Sequence, residues 1–184
     1  SAFLLLSKSP YLVSRSLVIG KGVTLVIQAG VVIRFKSGDN SLIVREGSIQ
    51  ALGTTQRPIT LTSANAPPKP GDYTNAVRFE GAGQLPSVLT HVRIDYAVTA
   101  VHVAGGSPDI AHAVITHNLQ SALECGGQSS PSISYSTLAE HPNNAAVICS
   151  GQARATLHRN NIVKNAWSVI NHSSQPLDAR ENWW

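Results

Sequence analysis

The chain has 184 residues, 42% hydrophobic and 13% charged, which excludes a charge-rich disordered segment and suits one domain with a substantial core. Fourteen Lys and Arg against ten Asp and Glu give a formal charge of +4, but the cations form no run, which argues against a nucleic-acid partner. The longest wholly apolar stretch, Ala2 to Leu6, is far too short to span a bilayer, and two cysteines make neither a disulfide framework nor a four-cysteine zinc site.

Ser1 to Pro10 lacks the basic start and cleavage site of an export signal, and its apolar Phe3 to Leu6 reads as an N-terminal cap. Short apolar runs then follow one another: Leu17 to Ile19, Val23 to Ile27, Val31 to Phe35, Leu42 to Val44 and Ile59 to Leu61. Each is bounded by Gly, Pro, Ser or Asn, as short strands are, and no long window sustains helical spacing. Asp39 to Ser41 and Gly53 to Pro58 read as turns. The Pro- and Gly-rich stretch Ser63 to Thr74 reads as a tolerated insertion bulging from a corner.

The C-terminal half repeats. Triplets start at Val77, Val101, Leu123, Val147 and Val169, at a nearly constant interval of some two dozen positions. Two positions after each triplet comes Gly81, Gly105, Gly127, Gly151 or Ser173, which marks a tight turn. A second apolar column is Leu89, Ile110, Ile133, Leu157 and Leu177, and a third is Ile94, Ile115, Leu138 and Ile162. Three short strands per rung at a constant period predict an all-β fold, a right-handed parallel β-helix (β-solenoid). About seven rungs at about 4.8 Å each make a rod of about 35 Å. Alternation turns Val101 and Val103 inward and sets Arg78, His102, Glu124, Ile148 and Ile170 in one outward column.

The chain resembles bacterial right-handed parallel β-helix proteins of the pectate-lyase-like superfamily over nearly its whole length. The likeness rests on Pro10 to Val13, on Gly22 to Leu25 and Gly30 to Phe35 as opening rungs, and on Ile49 to Thr54 and Pro58 to Ser63. It rests also on Ser107-Pro108-Asp109-Ile110 and Ser130-Pro131-Ser132-Ile133, and on the ending Asp178-Ala179-Arg180-Glu181-Asn182-Trp183-Trp184, which stops just before that family's Gly. The resemblance implies secretion or cell-surface display. It makes residues 1–184 one β-helix domain, a module of a longer secreted protein whose export signal has been removed. It says little about activity, because one fold hosts lyases, hydrolases and adhesins.

Several groups of residues could carry chemistry. Cys125 and Cys149 occupy equivalent inward positions in consecutive rungs. Two stacked buried thiols is the leading reading, with a strained disulfide or a reactive or metal-bound thiol as alternatives. Registering the rungs places His91, His112, Tyr135 and Arg159 in one column and Tyr96, His117, Glu140 and Lys164 in another. As a binding stripe, Arg159 would grip the carboxylate of an acidic sugar while Tyr135 or His112 stacks or moves a proton. The competing reading is a solvated face with weak cross-strand pairs, and it weighs more. His112 and His117 are the one closely spaced pair that could begin a metal site, and no metal or other cofactor is expected. Asn118 and Asn165, with His141 between them, read as structural stitches along a turn, and Trp183 and Trp184 as a cover over the core's end.

Pectate-lyase-type chemistry needs clustered carboxylates for Ca²⁺, and hydrolase chemistry a close acid pair. Asp95, Asp109, Glu124 and Glu140 fall in different columns, so neither set is visible. The expected function is therefore a non-catalytic module presenting a rigid face for carbohydrate or protein contacts, with His112, Tyr135, Arg159, His117 and Glu140 as ligand-binding candidates. The alternative is an enzyme acting on an acidic glycan. The expected partners are a polysaccharide or a cell-surface protein, and the open end rungs are expected to allow end-to-end or edge self-association.

Overall fold

Residues some two dozen apart in the chain are neighbours in space. A computed structural model describes residues 1–81 and 86–184 and shows three sheets of seven parallel strands each. The first sheet stacks Ala2–Leu4, Thr24–Ile27, Ser48–Leu52, Val88–Thr90, Asp109–Ala111, Ser132–Ser134 and Thr156–His158. The second stacks Tyr11–Val13, Val32–Phe35, Ile59–Ser63, Val92–Asp95, Val114–Thr116, Thr137–Ala139 and Asn161–Val163. The third stacks Leu17–Ile19, Leu42–Val44, Val77–Glu80, Thr99–Gly105, Ser121–Cys125, Ala145–Cys149 and Trp167–Asn171. The chain visits the sheets in turn, so the molecule is a parallel β-solenoid of seven turns. The only helix among the described residues is a 3-10 turn at Leu6–Lys8.

Register follows from burial. A single rung has no partner for its inward side chains, so stacking is what removes them from water. In the first sheet Ile27, Ala51, Leu89, Ile110, Ile133 and Leu157 are aligned neighbours. In the second, Ile33, Leu61, Ile94, Ile115, Leu138 and Ile162 align likewise. Nearly all of these side chains have under 3% of their surface exposed. Each such Ile or Leu contributes roughly 1.5–3 kcal/mol of burial, and a slip of one residue would turn the whole column to water.

Three expectations are corrected. The stretch Ser63 to Thr74 is more than a tolerated bulge, because Tyr73 is buried within it. Its ring stacks on Phe35 at 4.5 Å, and its hydroxyl donates to the Asp95 carbonyl at 2.9 Å. Apolar surface won over the Pro/Gly composition around it. Trp183 and Trp184 do not cover the core: they are 73% and 53% exposed, and Trp183 joins the stack through its backbone, bridging to Asn161. At the other end, Phe3, Leu5 and Leu6 are exposed rather than folded over the core as a cap, and Ala2–Leu4 is the first strand.

Cys125 and Cys149 are aligned neighbours and both are free, buried thiols, in line with the leading reading. The Cys125 thiol donates to Cys149 Sγ at 3.0 Å. That hydrogen bond, with burial adding to it, holds the Cys125 thiol far above its ordinary value. At Gly127, φ is +60° and a Cβ would stand 2.6 Å from the Ala104 carbonyl oxygen, so the turn that ends this strand needs glycine.

Candidate functional site

The two columns of candidate residues sit at the two corners that border the second sheet. Between the first and second sheets lie His91, His112, Tyr135, Arg159 and Glu181, all with φ between +48° and +61°. Between the second and third lie Tyr96, His117, Glu140 and Lys164, with φ between +56° and +65°. Left-handed backbone is unusual for such residues and must be held by its surroundings. At five of these corners the residue that follows is captured by a side chain from the next rung. The Ala113 N–H donates to Ser136 Oγ, the Ser136 N–H to Asn160 Oδ1 and the Asn160 N–H to Asn182 Oδ1. At the other corner the Ala97 N–H donates to Asn118 Oδ1 and the His141 N–H to Asn165 Oδ1. The stitching role read for Asn118 and Asn165 therefore holds. The matching Ser136, Asn160 and Asn182 series was missed, although it recurs in the sequence at the same interval as the apolar columns.

A shared left-handed φ at successive corners stacks the side chains that project from them. The His91 and His112 rings lie 4.8 Å apart and 9° from parallel, and His112 and Tyr135 lie 5.3 Å apart at 14°. The Arg159 guanidinium sits 5.5 Å from the Tyr135 ring centre and donates to its hydroxyl. It also pairs with Glu181 at 2.6 Å, which holds the Glu181 carboxyl below its ordinary range. Tyr135 and Arg159 are both well exposed. The result is a ladder four rungs long: two imidazoles, a phenol and a guanidinium.

The second corner is ionic. His117 Nε2 pairs with a Glu140 carboxylate oxygen, Lys164 Nζ lies 3.8 Å from the other, and the Tyr96 ring is tilted over His117 at 5.9 Å. His112 and His117 stand at opposite ends of the strand Val114–Thr116, so the pair weighed as the start of a metal site does not converge. On the outer face between the corners, burial raises the Asp95 carboxyl above its ordinary value, although Thr62 donates a hydrogen bond to it and His117 and Arg93 lie near.

A cavity of about 170 Å³ adjoins the first corner, lined by Thr54, Thr55, Pro58, His91, Val92, Arg93, His112 and Val114. Its outer wall is the turn Gly53 to Pro58, which docks on the rung above: the Gly53 N–H donates to Thr90 O at 2.9 Å and the Ile59 N–H to His91 O at 3.1 Å. A Cβ at Gly53 would collide with the His91 carbonyl, so glycine is what permits this approach. No sequence signal pointed to the cavity, because its walls come from three separate rungs, far apart along the chain.

Comparison with known proteins finds a likeness in the opening rungs. Residues 2–84 match the family model of the pectate-lyase like beta helix domain. The resemblance read from the sequence thus has its counterpart in the first half of the chain, and the rungs beyond continue the same winding. No curated protein and no solved structure matches the chain. A β-helix domain of this kind suggests a polysaccharide-related or binding role, and domains of this kind are commonly extracellular. No helix among the described residues is long and apolar enough to cross a membrane.

Proposed function

We propose that this protein is a non-catalytic β-helix module of a secreted or cell-surface protein, and that its first corner binds carbohydrate. The observation that carries the reading is the ladder of His112, Tyr135 and Arg159. Rings stacked face to face at the rung repeat turn a row of polar edges outward, where imidazole nitrogens and a phenol hydroxyl can meet sugar hydroxyls, and the guanidinium at the end of the row can take a carboxylate in place of Glu181. The backbone beneath the ladder is fixed by side chains from neighbouring rungs, so a ligand has only to displace the exposed Glu181 carboxylate from Arg159. His117 and Glu140 pair with each other and form the far border of the same face, where they orient a chain lying across the second sheet.

Binding to uronic-acid polymers on a glycan array tests this reading, followed by titration of the best polymer against Arg159→Ala and Tyr135→Ala. Each substitution should weaken binding about tenfold or more, with the unfolding midpoint little changed because both side chains are exposed. Absence of binding, or equal binding by the variants, overturns it.

A second reading, an enzyme on acidic glycans, draws support from Asp95, whose raised carboxyl lies near His117 on that same face. Release of new reducing ends from a bound polymer, lost in Asp95→Asn, would favour it over the module.

A further inference from the structure

The cavity beside His91 and His112 has a chemistry of its own. Its polar groups are the two imidazoles, the Arg93 guanidinium and the hydroxyls of Thr54 and Thr55, and no carboxylate lines it. Among the described residues Arg93 forms no ion pair. The nearest acid along its strand, Asp95, accepts its hydrogen bond from Thr62. Thr54 Oγ1 accepts from the Arg57 N–H at 3.0 Å, which leaves its own proton free to donate. Five residues whose side chains can donate thus line a space of about 170 Å³, two of them the imidazoles that lie parallel at 4.8 Å.

A planar carboxylate has two oxygens and would leave several of these donors unused. A tetrahedral oxyanion joined through one ester oxygen presents three, so it can engage more of these donors at once. His112 belongs both to the cavity and to the ladder, so a group seated here lies at the ladder's N-terminal end. We infer that this cavity holds a sulfate or phosphate ester of a glycan whose backbone continues along His112, Tyr135 and Arg159. The inference rests on the binding role assigned to the ladder and adds the class of substituent that sets the ligand's register.

Inorganic phosphate and inorganic sulfate, each titrated at pH 6 while histidine ring resonances are followed by NMR, probe the cavity without the ladder. The His91 and His112 signals should shift saturably while that of His172, which lies near the C-terminus, stays put. Arg93→Ala should weaken the effect about tenfold or more, whereas replacing the exposed Lys21, which does not line the cavity, by Ala should leave it unchanged. Arg93 is exposed, so its replacement leaves the core intact. Absence of a saturable shift, equal shifts at all histidines, or an unchanged response in Arg93→Ala overturns the inference. Dextran sulfate, a phosphorylated mannan and unmodified dextran then separate the two ester types, and tighter binding of plain dextran than of either charged polymer also overturns it. Should the small anions fail while Arg159→Ala still weakens uronate binding, the ladder reading stands alone. Should the anions bind and Arg159→Ala leave polymer binding intact, the ladder reading and the glycan register built on it fall together, and only the anion site of the cavity stands.

Discussion

Acidification through the histidine range should destabilise this protein largely through His141. The side chain is fully buried at the second corner, in the position that Asn118 and Asn165 hold in the rungs on either side. Its Nδ1 lies 3.4 Å from the Asn118 carbonyl oxygen, and its Nε2 has no partner among the described residues. Burial pushes its pKa from 6.5 down to about 4, and the nearby His117 pushes the same way. In the unfolded chain the ring takes a proton near 6.5, so between that value and about 4 the unfolded state binds more protons than the folded one. The contribution is therefore complete above pH 6.5 and is lost as pH falls towards 4. At about 1.4 kcal/mol per pH unit, the loss is about 2 kcal/mol by pH 5 and about 3 kcal/mol by pH 4. Urea unfolding of the wild type and of His141→Asn, from pH 4 to 8, reads this directly. Asn continues the ladder and does not titrate, and the other acids and histidines are common to both proteins. The difference in unfolding free energy should thus be flat above pH 7 and move by about 3 kcal/mol in favour of the variant by pH 4. Parallel profiles for the two proteins would refute the reasoning.

Two further outcomes are expected of the interior. Tyr73→Ala removes a buried ring stacked on Phe35 and should cost about 3–5 kcal/mol, whereas Tyr73→Phe loses only the hydroxyl's hydrogen bonding, to Asp95 O at 2.9 Å and more weakly to Leu61 O at 3.4 Å, and should cost about 1 kcal/mol. Equal unfolding midpoints for Tyr73→Ala and the wild type would show that the Ser63 to Thr74 stretch does not dock. Cys125 and Cys149 should resist a thiol-reactive reagent in the folded protein and titrate as two thiols in denaturant. A mass lower than the reduced value by the two hydrogens that a disulfide loses would contradict that expectation.

The winding was legible because one physical demand repeats. Every rung must fill the same inward positions, so Leu89, Ile110, Ile133 and Leu157 recur at a nearly constant interval whatever lies between them. The candidate columns could be registered by the same arithmetic, and the structure places His112, Tyr135 and Arg159 in contact. Their backbone conformation was hidden. Tyr, Arg and Glu carry no local preference for left-handed φ, and His only a modest one; the hydrogen bonds that hold it come from a neighbouring rung. Tyr73 was hidden for a related reason, since its stacking partner Phe35 belongs to an earlier rung and the composition around it is that of a surface loop. The cavity depends on Gly53 letting a turn approach His91, a contact between rungs that leaves no periodic mark.

A corner whose conformation is imposed by the adjacent rung can be copied without being redesigned. Duplicating the stretch from Ile133 to Thr156 would insert one more rung with its own Tyr135-type side chain, and the copied Ser136 hydroxyl, which accepts from the Ala113 N–H, would accept from the Ser136 N–H of the preceding copy. The row of exposed rings would lengthen by about 4.8 Å per copy, so a lineage could change how much polymer the protein grips by counting rungs rather than by reshaping a pocket.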